Sequence, residues 1–166
     1  MRLTSVSIRW VSAMLALTLL TACGFQLRGS YQVPQQLSQV SLEAPHRSEL
    51  ATRLQDVFQQ YDIAVVPRQQ DVTHIELLDD SLDRRVLSLL ISGQVAEYEL
   101  IYTAFVRVHM QDGSVEPHDI QIFRDYQEDP NFALAKTREL DILLSEMRDD
   151  AVNRIMLLLT RLTWED

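Results

Sequence analysis

Hydrophobic and polar residues alternate most regularly in the middle of this chain of 166 residues. From Tyr98 to Met110 every second residue is apolar or aromatic, and only Ile101 and Phe105 interrupt the polar positions between them. A period of two residues is typical of a β-strand that has one face on a hydrophobic core. We therefore predict a long antiparallel strand here, with Thr103 exposed on its solvent face.

Turn residues on both sides of this strand predict two further strands and the hairpins that join them. Gly93 and Gly113 each lie in a short polar sequence that is typical of a hairpin turn. The apolar residues of the strand before Gly93 change from one face to the other, which predicts a bulge near Asp79 and Asp80. The strand after Gly113 is marked by the apolar residues around Ile122.

Periodicities of three and four residues predict two amphipathic helices. The first follows a strand over residues 37–44, and Ser48 is its candidate N-cap. Its apolar face comprises Leu50, Leu54, Val57, Phe58 and Tyr61. The last element opens at Asp129 and Pro130, which suit the N-cap and the first helical position. Its apolar face comprises Leu140, Leu143, Met147, Ala151, Ile155, Leu158 and Leu162.

The order of these elements, β-α-β-β-β-α, defines the predicted fold. We predict an α/β fold of the α+β type, in which two helices pack on one face of a four-stranded, mostly antiparallel sheet. A chain of 166 residues that is 46% hydrophobic is long enough for one domain with its own core. We place this single domain at residues 37–166.

The first 22 residues have the pattern of a processed targeting segment. Arg2 and Arg9 precede a short apolar run over residues 10–20. This run is shorter than the roughly 20 apolar residues that span a bilayer, and a short run behind positive charges is typical of a secretory signal. We therefore predict a signal peptide at residues 1–22 and a polar tether at residues 23–36.

The only cysteine, Cys23, ends the sequence LTAC, which resembles the lipobox of bacterial lipoproteins. In a lipobox the thiol receives a diacylglycerol before cleavage, so the resemblance implies that Cys23 becomes the lipidated first residue of the mature chain, with acyl chains such as palmitate. Gly24 at the next position favours sorting to the outer membrane. We expect a lipoprotein anchored there on the periplasmic side, because two or three acyl chains anchor a protein firmly.

Composition excludes several classes of function. A formal net charge of −9 argues against broad nucleic-acid binding, and a single cysteine excludes a disulfide framework within the chain. The sequence contains no nucleophile elbow, no glycine-rich phosphate loop and no pair of histidines at helical ligand spacing. We therefore predict that the protein is not an enzyme and has no cofactor and no metal site.

Basic residues are the remaining candidates for binding chemistry, because arginine and lysine bind phosphate groups well. Six basic residues lie on the three long strands or at the start of the last helix, and they are candidates for a common site at one end of the sheet. They are Arg84, Arg85, Arg107, Arg124, Lys136 and Arg138. Each alone is explained more simply as a surface charge paired with one of the abundant acids. Arg148, amid the acids of the last helix, is expected on a solvated face.

Three segments resemble the LptE family of lipopolysaccharide-assembly lipoproteins. They are CGFQLRG at the lipid site, GQVAEYEL at the start of the long strand, and FRDYQEDPNFALAKTRELDILLSEM leading into the last helix. The resemblance extends from Cys23 to about Leu162 and implies two helices on a four-stranded sheet, as the element order does independently. It also implies an outer-membrane lipoprotein that plugs the LptD β-barrel, helps to assemble it and binds lipopolysaccharide during transport.

The resemblance further implies where lipopolysaccharide binds. Lys136 matches a basic position that the family uses for this ligand, and we expect Arg138 and Arg124 to contribute. A second basic position of some members corresponds here to Ile91, so the match fails there. The alternative function is a free-standing periplasmic carrier of lipid or a small ligand, which would need an apolar pocket of roughly 300 Å³ or more.

Overall fold

A computed structural model describes residues 33–162 of the chain. Over these residues the elements are β1 (Gln39–Glu43), α1 (Glu49–Gln60), β2 (Ala64–Val65), β3 (Thr73–Leu89), β4 (Val95–His109), β5 (Val115–Gln127) and α2 (Ala133–Leu162). Short 3₁₀ turns at Gln35–Leu37 and Pro130–Phe132 precede β1 and α2. The predicted signal peptide, Cys23 and most of the predicted tether lie outside the described residues.

The strands form one mixed sheet in the order β2-β1-β3-β4-β5. β1 pairs in parallel with both β2 and β3, whereas β3, β4 and β5 form an antiparallel meander. The predicted fold class is confirmed, but the sheet has five strands and not four. The additional strand, β2, is two residues long, which is too short to produce a detectable alternation of polar and apolar residues.

Local sequence signals explain how the two helices begin. The Ser48 side chain accepts a hydrogen bond from the Ala51 N–H at 3.1 Å, which is the capping contact expected of a serine at this position. Asp129 likewise accepts from the Asn131 N–H at 3.0 Å, but it caps the 3₁₀ turn that leads into α2. Both predicted N-caps are therefore confirmed, the second one turn ahead of the α-helix itself.

The central strand β4 provides the floor of the hydrophobic core. Leu100, Tyr102, Ala104, Val106 and Val108, every second residue as predicted, are all buried. A single core cluster joins this face of the sheet to the buried faces of both helices. The two helices therefore share one face of the sheet, as predicted.

Thr103 is buried, with 5% of its surface exposed, so the prediction of an exposed position is wrong. It lies on the face opposite the helices, in register with Ser81 of β3 on one side and Gln121 of β5 on the other. A short side chain at the centre of three paired strands is shielded by the strands on both sides. Position on the outer face of a sheet is thus not sufficient for exposure.

The buried face of α2 is rotated slightly from the predicted one. Its buried residues are Met147, Ala151, Val152, Ile155, Met156 and Leu159, whereas the predicted Leu140, Leu143, Leu158 and Leu162 are only partly buried. The first turns of the helix extend beyond the core, and Leu134 and Ile142 are exposed there.

One extra residue in β3 produces the predicted bulge. The register passes from Leu77 opposite Val106 to Asp80 opposite Ala104, so three steps on β3 match two on β4. Because side chains alternate along a strand, residues after the bulge exchange faces. Asp80 consequently lies on the side of the sheet that carries the helices.

A polar network at the bulge connects the sheet to both helices. The Tyr102 hydroxyl donates to Asp80 at 2.9 Å, and burial together with this carboxylate raises the pKa of Tyr102. The Arg148 Nη1 lies 2.5 Å from the Glu49 carboxylate of α1, and its Nε lies 3.8 Å from Asp80. Because its side chain is only 19% exposed, the solvated position expected for Arg148 is wrong.

A histidine is buried where β1 meets β3. His74 is 3% exposed and its Nδ1 lies 3.1 Å from the Ser41 hydroxyl. Burial lowers the pKa of His74, and the nearby Arg68 and His109 lower it further, while Glu43 and Glu76 act in the opposite direction. At neutral pH these effects favour the neutral form of His74.

We expect Val106→Asp to reduce the free energy of unfolding by about 3–5 kcal/mol, because it places an unpaired charge in the core. The matched control is Val115→Asp at an exposed position of β5, which should change it by at most about 0.5 kcal/mol. Urea denaturation of both variants measures the difference. Equal losses would contradict the assignment of the core face.

The free energy of unfolding should fall as the pH drops from 7 to 5. The unfolded chain binds a proton on His74 near its ordinary pKa of about 6.5, while the folded chain binds it only at lower pH, so acid favours unfolding. Denaturation of the wild type and of His74→Gln at both pH values provides the measurement. The variant should lose less stability than the wild type, and identical losses would show that another group is responsible.

Candidate functional site

Two loops meet at one end of the sheet, which we call the distal end. They are residues 90–94, between β3 and β4, and residues 128–132, between β5 and α2. The Glu128 N–H donates to the Ala96 carbonyl at 2.9 Å, which holds the second loop beside the base of the first hairpin. Residues from β3, β5 and the start of α2 therefore come close together here.

Lys136 is held against β5 near the distal end. Its Nζ lies 4.8 Å from the centre of the Tyr126 ring and 2.7 Å from the Glu139 carboxylate. The Tyr126 hydroxyl in turn donates to the Lys136 carbonyl at 3.1 Å. The hydrogen bond that Lys136 donates to Glu139 raises the pKa of Lys136, so the lysine is a fixed positive charge at neutral pH.

Arg124 lies on the same face of β5, two residues before Tyr126. It forms an ion pair with Asp150 of α2, and its Nη1 donates to the Phe123 carbonyl at 2.8 Å. The guanidinium therefore reaches towards the middle of α2, while the lysine lies at the beginning of that helix. The side chain stays 38% exposed, so an anion in solvent has access to it.

Arg138 is exposed and makes no ion pair with any residue between 33 and 162. It follows Lys136 by two positions on α2, and residues two apart do not share a face of a helix. The three predicted binding residues are therefore not gathered in one pocket. Lys136 and Arg124 lie on one side, and Arg138 points elsewhere.

Arg84 is a further basic residue at this site, and the bulge in β3 explains its position. After the bulge Arg84 is in register with the buried Leu100, and Leu100 is in register with Arg124 on its other side. Two strand spacings, about 10 Å, thus separate the backbones of the two arginines on the helix-bearing face. The neighbouring Arg85 lies on the opposite face, where it pairs with Glu99 at 2.5 Å.

We name Arg84, Arg124 and Lys136 the distal basic site. The three residues come from β3, β5 and α2. Two of them, Arg124 and Lys136, already form an ion pair with a carboxylate. The pair of Arg124 with Asp150 is largely solvent-accessible, and such pairs contribute little to stability, so an incoming phosphate can replace the Asp150 carboxylate at low cost. The Lys136 side chain is only 15% exposed, whereas its partner Glu139 is accessible to solvent. The arrangement suits a ligand with several separated anionic groups.

A polar cleft lies at the opposite end of the sheet. It has a volume of about 520 Å³ and is lined by the segment before β3 and by the turn between β4 and β5. Polar side chains such as Arg68, Gln69, Gln70, His109 and Asp112 dominate this lining. The cleft therefore does not have the apolar character that a lipid carrier would need.

Two other kinds of site are absent over residues 33–162. No group of three or more histidine, cysteine or acidic side chains is arranged to hold a metal ion in this part of the chain. No helix in the same part of the chain has the length and apolar composition to cross a membrane.

The chain is similar to a known protein family. A family model described as LptE, lipopolysaccharide-assembly, matches residues 37–159. The LPS-assembly lipoprotein LptE of Pectobacterium atrosepticum is 32% identical over 145 residues, which cover 86% of this chain and 79% of that protein. The protein of the same name from Yersinia enterocolitica is 30% identical over 145 residues, which cover 86% and 70%.

Solved structures with the same fold are also lipoproteins. The crystal structure of the rare lipoprotein B from Shewanella oneidensis has a TM-score of 0.71 and 37% sequence identity, covering 77% of this chain and 99% of that chain. The solution structure of lipoprotein B from Nitrosomonas europaea has a TM-score of 0.62 over 81% of this chain and 93% of that chain. At 23% identity the second structure supports the fold alone.

Proposed function

The chain belongs to the LptE family of lipopolysaccharide-assembly lipoproteins, and from this premise we propose that it binds lipopolysaccharide and plugs the lumen of the LptD β-barrel. The observation that carries the proposal is the fixed position of Lys136, the one lysine of the chain, on the Tyr126 ring. The proposed role is one of binding and of structural support, not of catalysis.

Lipopolysaccharide binding rests on the distal basic site. A phosphate bound by Lys136 would replace Glu139 and form a charge-assisted hydrogen bond, which is worth about 1.5–3 kcal/mol when well formed. Arg84 and Arg124 offer two further contacts on the same face. These contacts compensate for Ile91, which stands where some relatives have a basic residue.

The plug role is supported by the face of the sheet that carries no helix. Both helices pack on the other side, so the outward residues of β4 have no covering layer among the described residues. This face combines partly buried apolar residues, Ile101 and Phe105, with the ion pair between Arg107 and Glu76 at 2.9 Å. A surface of mixed polarity suits the lumen of a barrel, and obligate partners commonly bury more than about 2,000 Å² in total.

Anchoring at the outer membrane rests on Cys23 and the sequence around it. Lipidation at this position would hold the domain on the periplasmic side, next to the barrel that it plugs. Because two or three acyl chains resist extraction, the domain itself needs no membrane-binding surface for attachment.

Lipidation predicts that Cys23→Ser accumulates as an unlipidated, uncleaved precursor whose domain still folds. The domain should fold because its core is formed by residues 37–159. Labelling of cells with radioactive palmitate, followed by gel electrophoresis, measures both lipidation and cleavage. Label retained on the variant would contradict lipidation at Cys23.

Charge reversal at Lys136 tests ligand binding. We expect Lys136→Asp to weaken lipopolysaccharide binding by about tenfold or more, because it removes a charge-assisted contact and adds repulsion. The loss should shrink as the salt concentration rises, since salt screens exposed charges. Binding of purified lipopolysaccharide to the detergent-solubilised lipoprotein, titrated at low and high salt, provides the measurement.

The matched control is Arg161→Asp, an exposed charge in the last turn of the same helix. It should leave binding unchanged, while Lys136→Arg should restore most of it. Thermal unfolding and co-purification with the barrel show whether each variant still folds and assembles. If Lys136→Asp binds lipopolysaccharide like the wild type, the proposed ligand site is wrong. If neither the wild type nor any variant co-purifies with a barrel protein, the proposed role as a plug is wrong.

A further inference from the structure

The polar cleft, at the end of the sheet opposite the distal end, contains a buried nitrogen without a partner. His74 lines this cleft and is only 3% exposed. Its Nδ1 lies 3.1 Å from the Ser41 hydroxyl, whereas its Nε2 forms no hydrogen bond with any residue from 33 to 162. The Glu43 carboxylate lies 3.5 Å from this Nε2 but is not hydrogen-bonded to it. Because buried polar atoms are almost always bonded, this nitrogen is available to a ligand in the cleft.

The polar cleft opens on the face of the sheet that carries no helix. His74 and His109 are in register on β3 and β4, and their ring centres lie 5.0 Å apart. Each follows or precedes a core residue of its strand, Ile75 or Val108, so both side chains point away from the helices. The cleft volume of about 520 Å³ lies within the range of pockets that hold small ligands. A molecule that lies against this face of the sheet can therefore place a group in the cleft.

Arg68 supplies a positive charge at the polar cleft. It is exposed in the segment before β3 and makes no ion pair with any residue from 33 to 162. After burial, the Arg68 guanidinium is the next largest cause of the lowered pKa of His74, so the guanidinium lies close to the imidazole. The side-chain amides of Gln69 and Gln70 in the same segment add further N–H donors to the cleft.

Acidic side chains beside the polar cleft already have donors of their own. The Asp112 carboxylate accepts from the N–H and from the hydroxyl of Ser114, both at 2.7 Å. The Glu76 carboxylate accepts from Arg107 at 2.9 Å and lies 3.2 Å from Nε2 of His109. The buried imidazole nitrogen and the guanidinium described above have no such partner. The cleft thus has a surplus of donors, which suits a ligand that supplies an anionic acceptor.

We propose that the polar cleft binds a carboxylate, which pairs with the Arg68 guanidinium and accepts a hydrogen bond from Nε2 of His74. When the Ser41 hydroxyl donates to Nδ1, the neutral imidazole carries its proton on Nε2 and donates it into the cleft. The carboxylate belongs to an aspartate or glutamate side chain of the barrel that the domain plugs. This inference rests on the proposed function and adds one specific contact to it.

A carboxylate of the barrel fits the polar cleft better than a phosphate does. Arg68 is the one arginine or lysine that lines the cleft among residues 33–162, and the carboxylates of Asp112 and Glu76 lie beside it. A singly charged group meets less repulsion from these acids than a doubly charged phosphate would. The interior of an outer-membrane barrel is polar, so acidic side chains are available there.

Acetate is the probe for the carboxylate site. The histidine rings of the full lipoprotein, solubilised in a mild detergent, are followed by NMR, and His74→Gln identifies the signal of His74. The pKa of His74 should be higher in acetate than in chloride at equal ionic strength, by about one unit at saturation, because a carboxylate within about 4–6 Å favours the imidazolium form. Burial, Arg68 and His109 lower this pKa in both salts. Glu43 and Glu76 raise it in both, so the comparison isolates the added carboxylate.

Arg68→Gln tests the site without disturbing the core, because the residue is exposed. It should abolish the difference between acetate and chloride. The matched control, Arg161→Gln, changes an exposed arginine of α2 on the other side of the sheet and should keep the full difference. An equal pKa of His74 in both salts for the wild type, or a difference that persists in Arg68→Gln, would overturn the inference.

Photo-crosslinking identifies the occupant of the polar cleft in cells. A benzophenone amino acid in place of Gln70, which lines the cleft, should give an adduct with the barrel protein on a peptide that contains aspartate or glutamate. Arg68→Glu should speed dissociation of the detergent-solubilised complex by about tenfold, because it replaces attraction by repulsion. Replacement of the crosslinked acid by arginine should restore the slow rate. An adduct on a peptide without an acid, or an unchanged rate in Arg68→Glu, would contradict a carboxylate of the barrel as the occupant.

These measurements distinguish failure of the inference from failure of the proposed function. If the wild type co-purifies with a barrel protein but acetate leaves the pKa of His74 unchanged, the role as a plug stands and the carboxylate site is wrong. If acetate raises the pKa but no barrel protein co-purifies, the role as a plug is wrong, and so is the barrel as the source of the carboxylate.

Discussion

The extra residue in β3 between Leu77 and Asp80 controls the arrangement of the distal half of the molecule. Before it, Ile75 and Leu77 contribute to the hydrophobic core; after it, Asp80 and Arg84 take the corresponding face. A strand without the bulge would carry the opposite set of side chains towards the helices. Leu82 lies between Asp80 and Arg84 on this face and still packs against the core, so one insertion changes both the packing and the charge of this face.

The distal basic site shows how an acidic protein can present positive charge. The chain carries a net charge of −9, and acids from α2 hold Arg124 and Lys136 in defined directions when no ligand is bound. Because the pair of Arg124 with Asp150 is partly exposed, it orients the arginine without committing much free energy. A ligand with several phosphates competes with such acids at more than one position, whereas a single free anion competes at only one. The surrounding acids thus favour ligands of high charge.

The sequence predicts those features of the fold that repeat or that depend on one local residue. Alternation along β4, the turns at Gly93 and Gly113, and the cap at Ser48 are all confirmed, because each signal lies in the segment that it describes. Longer-range effects escape this kind of prediction. The strand β2 is defined only by its pairing with β1, and burial of Thr103 depends on neighbours from two other strands.

Prediction of the candidate site has the same limit. Lys136 was identified by its resemblance to a family position, but its contact with Tyr126 depends on how α2 crosses β5. Arg84 and Arg85 are equivalent in the sequence, and only the bulge determines which one faces the helices.

The position of β1 in the sheet affects the order in which the strands can pair. It is the first strand to be synthesised, yet it pairs with β3 across α1 and β2, while β3, β4 and β5 pair with their neighbours in the chain. Because short loops close before long ones, the meander forms early and β1 joins it late. We therefore expect β1, although it is the first strand of the domain in the chain, to be among the last to join the sheet.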